Sequence, residues 1–113
     1  MASRQVVSNR VGLKPARAIK PHADKAAALL KALANEQRLM VLCNLLEGPL
    51  SVGELNERVS LSQSALSQHL AKLRADGLIE FRRASQTLHY RVVDTPALRV
   101  LQLLKEIYCG DMK

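Results

Sequence analysis

"LSQSALSQHLAKLRADGLIEFRR", residues 61–83, decides how this chain folds. Leu66, Leu70 and Leu73 recur at i, i+4 and i+7, which is one face of an α-helix. Gln63, Ser64, Ser67, Gln68 and Ala71 take the opposite face. Ser62 is placed to cap the helix start, and Asp76-Gly77 to stop it. The short polar side chains therefore crowd the first two turns of a bounded helix. A solvated face ordinarily carries Lys and Glu, which are better helix formers than Ser. Short uncharged hydrogen-bonding groups are what a base edge in a major groove requires.

The flanking sequence supplies a context for that face. After Gly77 the apolar period changes from 3.6 to 2. "LIEFRR" and "TLHYRVV" predict two strands around Ala84-Ser85-Gln86, a β-hairpin. Upstream, "SVGE" fits a capping box of Ser51 with Glu54 and opens a short helix to about Arg58. "VSL" then makes a tight connection. Before it, Asn35 caps a helix over 36–47, ended by Gly48-Pro49. A helix over 22–33 carries Ala26, Leu29, Leu30 and Leu33 on one side. Thr95 as N-cap and Pro96 at N1 start a last helix, which runs to about Tyr108 and is closed by Gly110. The fold class is mainly α with a β-hairpin wing: a winged helix-turn-helix of five helices. The first and last helices hold more apolar surface than so small a core can cover. That excess predicts a C₂ homodimer.

With 113 residues the chain suits one domain and one modest core. Aromatics are only 3%, so the core must be built from Leu, Val and Ala. No apolar run approaches the roughly 18 residues of a membrane span. The N-terminus lacks the apolar stretch of a secretory signal. The expected location is the cytoplasm. The net charge is +7, unevenly spread. Residues 1–20 hold Arg4, Arg10, Lys14, Arg17 and Lys20 and no acid, while the remaining 93 hold 12 basic and 10 acidic groups. We read 1–20 as a basic, disordered arm and 21–113 as the DNA-binding and dimerisation domain. Such an arm suits DNA, a purely solubilising tail or a transit peptide.

Within this frame Gln63, Ser64, Ser67 and Gln68 are the candidates for base contacts in double-stranded DNA. Arg82 and Arg83, with Ser85 and Gln86, are candidates for phosphate or the minor groove. His69 adjoins the Leu seam and reads as a packed or phosphate-contacting residue. Asn56 and Arg58 read as surface groups. No CxxC, Ser-His-Asp set, paired carboxylates or phosphate-cradling glycine loop is present, so no enzyme is indicated. No cofactor or metal site is indicated either.

From "LLKALANEQRL" through "SVGEL", "SQSALSQHLAKLRADGLI" and "RRASQTLHYRV", the chain resembles the ArsR/SmtB-type winged-helix repressors of bacteria. The resemblance covers about residues 22–109. It implies a homodimeric repressor that leaves DNA when a chemical signal binds. Many members sense metals through Cys-x-Cys at the start of the short helix, where this chain has Ser51 and Gly53 in "PLSVGEL". Others use Asp and His on the last helix, where "TPALRVLQLLKEIYCG" has no His and only Glu106 as an acid. What remains is Cys43 in "VLCNLL" and Cys109 in "EIYCG", 66 positions apart. They are similar to the pair of the thiol-based branch, known for sensing persulfide and sulfide, which includes haemolysin and biofilm regulators. The resemblance thus implies release from DNA when persulfide, polysulfide or an oxidant cross-links the two cysteines, with reactive sulfur species as effector.

Bare chemistry leaves that role open. Cys109 lies at a helix C-terminus, where the dipole favours the neutral thiol. Cys43 lies in an apolar helix, which favours it too. Lys105 and Lys113 would oppose the dipole at Cys109. Two readings stand beside the sulfur switch: a metal sensor in which His22 or His89 completes a two-Cys site, which the spacing does not support, and an antirepressor that displaces other DNA-bound proteins.

Overall fold

The structure, a computed structural model, describes residues 16–110. Two compact units divide at Leu30 and Lys31. In the first, Ala16–His22 winds as a 3-10 helix with Pro21 inside it, followed by the start of α1 (Ala23–Leu33). Residues 1–15 of the expected arm lie outside the described residues. Residues 16–20 are helical rather than irregular. Ala-rich sequence favours winding, and Pro21 has no N–H with which to continue an α-helical ladder.

The second unit holds the end of α1 and then α2 (Glu36–Leu45), β1 (Leu50–Ser51), α3 (Val52–Arg58), α4 (Gln63–Ala75), β2 (Ile79–Ala84), β3 (Thr87–Val92) and α5 (Pro96–Cys109). The five helices and the hairpin are those the sequence predicts. The sheet has a third strand that it does not: the antiparallel order is β1-β3-β2, with Leu50 opposite Tyr90 and Ser51 opposite His89. Two residues cannot display a period, so β1 leaves no pattern to read.

The core is Leu-rich as composition requires. Leu42 and Val41 from α2, Leu55 from α3, Leu66, Leu70 and Leu73 from α4, and Leu101 from α5 are almost fully buried. Each such side chain contributes about 1.5–3 kcal/mol by leaving water. Tyr90 closes the sheet side of the core, with Phe81 edge-on to it at 5.6 Å between ring centres.

The helix ends show which local signals were sufficient. Asn35 Oδ1 accepts from Arg38 N at 2.9 Å, as an N-cap should. At the end of α4 the Gly77 N–H donates to the Arg74 carbonyl and the Leu78 N–H to the Leu73 carbonyl. Gly77 has φ +77°, so this is a Schellman closure, with buried Leu73 and Leu78 at its two ends. Helix α5 begins at Thr95 and Pro96 and ends at Gly110 as expected, but neither end is tightly secured. Thr95 holds the N-cap position, yet its hydroxyl makes no cap bond and is buried without a partner. Gly110 stays right-handed at φ −61°, so it does not close α5 with a left-handed turn. Helix α2 ends at Leu45, two residues early, because Leu46 to Gly48 tighten into turns and Gly48 adopts φ +143°.

Candidate nucleic-acid interface and thiol pair

Helices α3 and α4 with residues 59–62 form the helix-turn-helix. Its first helix is fixed by a reciprocal cap. Ser51 Oγ accepts from Glu54 N at 3.1 Å, and the Ser51 N–H donates to Glu54 Oε1 at 2.8 Å. Hydrogen bonding from the Ser51 backbone, and then from its side chain, holds the Glu54 carboxyl below its ordinary range, with His89 adding to the effect. Ser51 is also the end of β1, so one residue ties the start of α3 to the wing.

The turn itself is held by a residue that sequence reading left on the surface. Asn56 Nδ2 donates to the Leu61 carbonyl at 2.8 Å and is half-buried. Asn disfavours helix interiors because its amide bonds nearby backbone, and that preference was the available signal. Arg58 is exposed as expected, but it pairs with Glu47 at 3.4 Å.

Ser62 caps α4 by accepting from Ala65 N at 3.1 Å. Leu66, Leu70 and Leu73 are buried, while Gln63, Ser64, Ser67, Gln68 and Ala71 are exposed. The structure therefore brings the four candidate base readers to one free face at the helix start. No acidic residue stands in that first turn. His69 is half-buried, with Nε2 3.3 Å from Gln37 Oε1, so it braces α4 against α2.

The wing joins α4 through Arg74, whose guanidinium lies 4.3 Å from the centre of the Phe81 ring. Arg82 and Arg83 are exposed and, among the described residues, in no salt bridge. Consecutive strand residues point to opposite faces. Arg83 opposes Leu88, on the Phe81 face, whereas Arg82 opposes His89, on the face of the Glu80–Arg91 pair at 2.6 Å. The two arginines are therefore not a single patch. Ser85 turns the hairpin at φ +60°.

Cys43 on α2 is half-buried, Cys109 at the end of α5 is exposed, and both are free thiols. Burial pushes the Cys43 thiol up; Lys105 pulls it down and Cys109 pushes it up again. The two cysteines, far apart in sequence, stand on helices that pack together. Cys109 lines an open cleft with Leu46, Gln102, Lys105, Glu106 and Gly110. Lys105 Nζ is 3.6 Å from Glu47 Oε2. Among the described residues no three His, Cys, Asp or Glu side chains gather as a metal site would require.

A capped, polar-faced helix beside an arginine-bearing wing defines a winged-helix DNA-binding protein. Residues 35–80 match the family of bacterial regulatory proteins called the arsR family. The chain is 55% identical over 85 residues to the transcriptional activator HlyU of Vibrio cholerae, covering 75% of this chain and 79% of that one. A structure of reduced HlyU from Vibrio cholerae superposes with a TM-score of 0.76 at 50% identity, over 82% of this chain and 98% of that one. The repressor BigR from Xylella fastidiosa superposes with a TM-score of 0.78 at 36% identity, over 88% and 98%. The chain belongs to the ArsR family of transcriptional regulators. It is a DNA-binding regulator and not an enzyme.

Proposed function

We propose that this protein is a cytoplasmic repressor, binding operator DNA as a homodimer and leaving it when Cys43 and Cys109 are linked through sulfur. The observation that carries the switch is the pair of free thiols on α2 and α5, two helices that pack against one another. Likeness to a protein whose reduced form has a solved structure supports the same reading. A second copy of the chain is the natural cover for α5, where Leu103 and Ile107 share a helical face at 53% and 60% exposure. Met40 on α2 and Tyr108 on α5 add exposed apolar surface.

The chemistry needs a sulfane-sulfur donor such as inorganic polysulfide. One cysteine thiolate attacks a sulfane sulfur and expels hydrosulfide or a shorter polysulfide, leaving a persulfide on the protein. The other thiolate attacks the cysteine sulfur of that persulfide, breaks its S–S bond and expels hydrosulfide. The two thiols are oxidised to a disulfide and the sulfane sulfur is reduced. A longer attached chain, attacked further out, leaves a bridge with extra sulfur atoms. A plain disulfide needs Cα atoms within about 7 Å, and a polysulfide bridge spans more. Linking α2 to the end of α5 acts on the helix that faces the partner. The spacing of the two α4 helices, set at roughly 34–36 Å by one turn of DNA, changes with it.

The test is a DNA-binding titration of the reduced protein before and after polysulfide. A coupling of about 1–3 kcal/mol corresponds to a 5–150-fold loss of affinity. Unchanged affinity after complete modification of both thiols rejects the switch. Release by stoichiometric zinc or copper through these thiols replaces it with metal sensing. The likeness to a protein named an activator keeps one further reading: displacement of another repressor from shared DNA. Raised transcription only in the presence of that repressor would establish it.

A further inference from the structure

We propose that Lys105 is the positioning residue that makes the Cys43 thiol reactive, and that Glu47 restrains Lys105 by holding its ammonium group. The proposal rests on the reading of Cys43 and Cys109 as reacting thiols. Lys105 stands on α5 one turn before Cys109 and lines the same cleft. Its ammonium is 3.6 Å from Glu47 Oε2. Glu47 follows the end of α2, one turn beyond Cys43. The other carboxylate oxygen of Glu47 is 3.4 Å from Arg58 of α3. One carboxylate thus holds two cations, one of them the lysine whose charge favours the Cys43 thiolate.

Burial opposes ionisation of Cys43, and so does Cys109. Lys105 is the cation that works against them and offsets them in part. Glu106, on the rim of the cleft, carries negative charge and offers no help. The Lys105–Glu47 pair is exposed, with side chains 41% and 59% accessible, and exposed pairs exchange partners at little cost. A thiolate formed at Cys43 therefore competes with Glu47 for one ammonium. With Lys105 on Glu47 the thiol keeps its proton. With Lys105 turned to the sulfur, the proton goes to solvent and the thiolate is stabilised as nucleophile.

This arrangement makes opposite predictions for two neighbouring substitutions. The measurement is the rate at which iodoacetamide alkylates Cys43 in the reduced full-length protein near neutral pH, resolved by peptide mass spectrometry. The reagent is neutral, so its approach is not steered by the substituted charges. The thiolate displaces iodide and forms a thioether. Lys105→Gln should slow Cys43 by about two- to fivefold. The loss stays below the roughly tenfold fall in thiolate per pKa unit because a more basic thiolate is also more nucleophilic. Lys105→Arg should restore most of the rate. Glu47→Gln should raise it by a similar factor. High salt should shrink all three differences. An unchanged rate in Lys105→Gln, or a slower rate in Glu47→Gln with an unchanged melting temperature, overturns the proposal. The switch itself fails on different evidence, a Cys43→Ser protein that still leaves DNA with polysulfide, so the two failures are distinguishable.

Discussion

Helix α4 and helix α5 are similar in length and opposite in construction. Helix α4 is closed at both ends, by the Ser62 cap and the Schellman turn at Gly77. Its leucines are buried, and Arg74 stacks on the wing. Helix α5 starts at a Thr95 whose hydroxyl bonds nothing and ends without a left-handed turn. Its outer face carries Leu103, Ile107 and Tyr108 exposed. On the proposed function, the difference separates two tasks. A surface that reads bases must be held still, and its own hydrogen bonds do so. A helix that transmits a cross-link must be able to move, and one whose ends are weakly secured moves at lower cost.

The contrast can be broken most forcefully in the core. Leu70→Ala should lower unfolding free energy by about 2–5 kcal/mol, a large share of what a small domain has. Ile107→Ala should leave the folding of one protomer nearly unchanged and weaken dimerisation. Urea unfolding and sedimentation over a concentration series read the two effects. Equal effects on both readouts would erase the proposed division of labour.

A smaller effect is expected on the exposed face of α4. Gln68→Ala should cost about 1–3 kcal/mol of DNA binding and relax base preference at one position of each half-site. Arg82→Ala and Arg83→Ala should instead weaken all sequences alike and flatten the salt dependence. Because the two arginines point to opposite faces of the wing, their effects should be unequal. Titrations on matched and mismatched duplexes at two salt concentrations check both statements.

The smallest effect concerns the tie between α3 and the wing. Hydrogen bonds from Ser51 hold the Glu54 carboxyl below its ordinary value of 4.5. A lowered folded value adds stability above the unfolded value and loses it as the pH falls through the folded one. The urea midpoint of the wild type should therefore fall more steeply below about pH 4.5 than that of Glu54→Gln. Parallel curves would show that the cap bonds do not favour the carboxylate.

Much of the helix-turn-helix was legible because its signals are local. The Leu66, Leu70, Leu73 spacing, the Ser62 cap and the Ser51–Glu54 box each span a few residues, and all three are present in the structure. What escaped depends on contacts between elements. Strand β1 exists only because β3 is there to pair with it. Asn56 matters through Leu61, across the turn. The opposed faces of Arg82 and Arg83 follow from strand alternation and were available, although nearness in sequence suggested one patch. At the thiol edge, sequence offered Cys43 on one helix and Lys105 with Cys109 on another. Glu47, which joins Lys105 to Arg58, carried no signal before folding placed the three together.

On the proposed function, chemistry at α2 and α5 governs the grip of α4 on DNA. This is tested most directly by the DNA affinity of Cys43→Ser and Cys109→Ser proteins, each measured before and after polysulfide. Both should bind like the reduced wild type and neither should be released, while the wild type loses affinity as intact-mass spectrometry shows the sulfur bridge form. Release of either variant by polysulfide would contradict the proposed function.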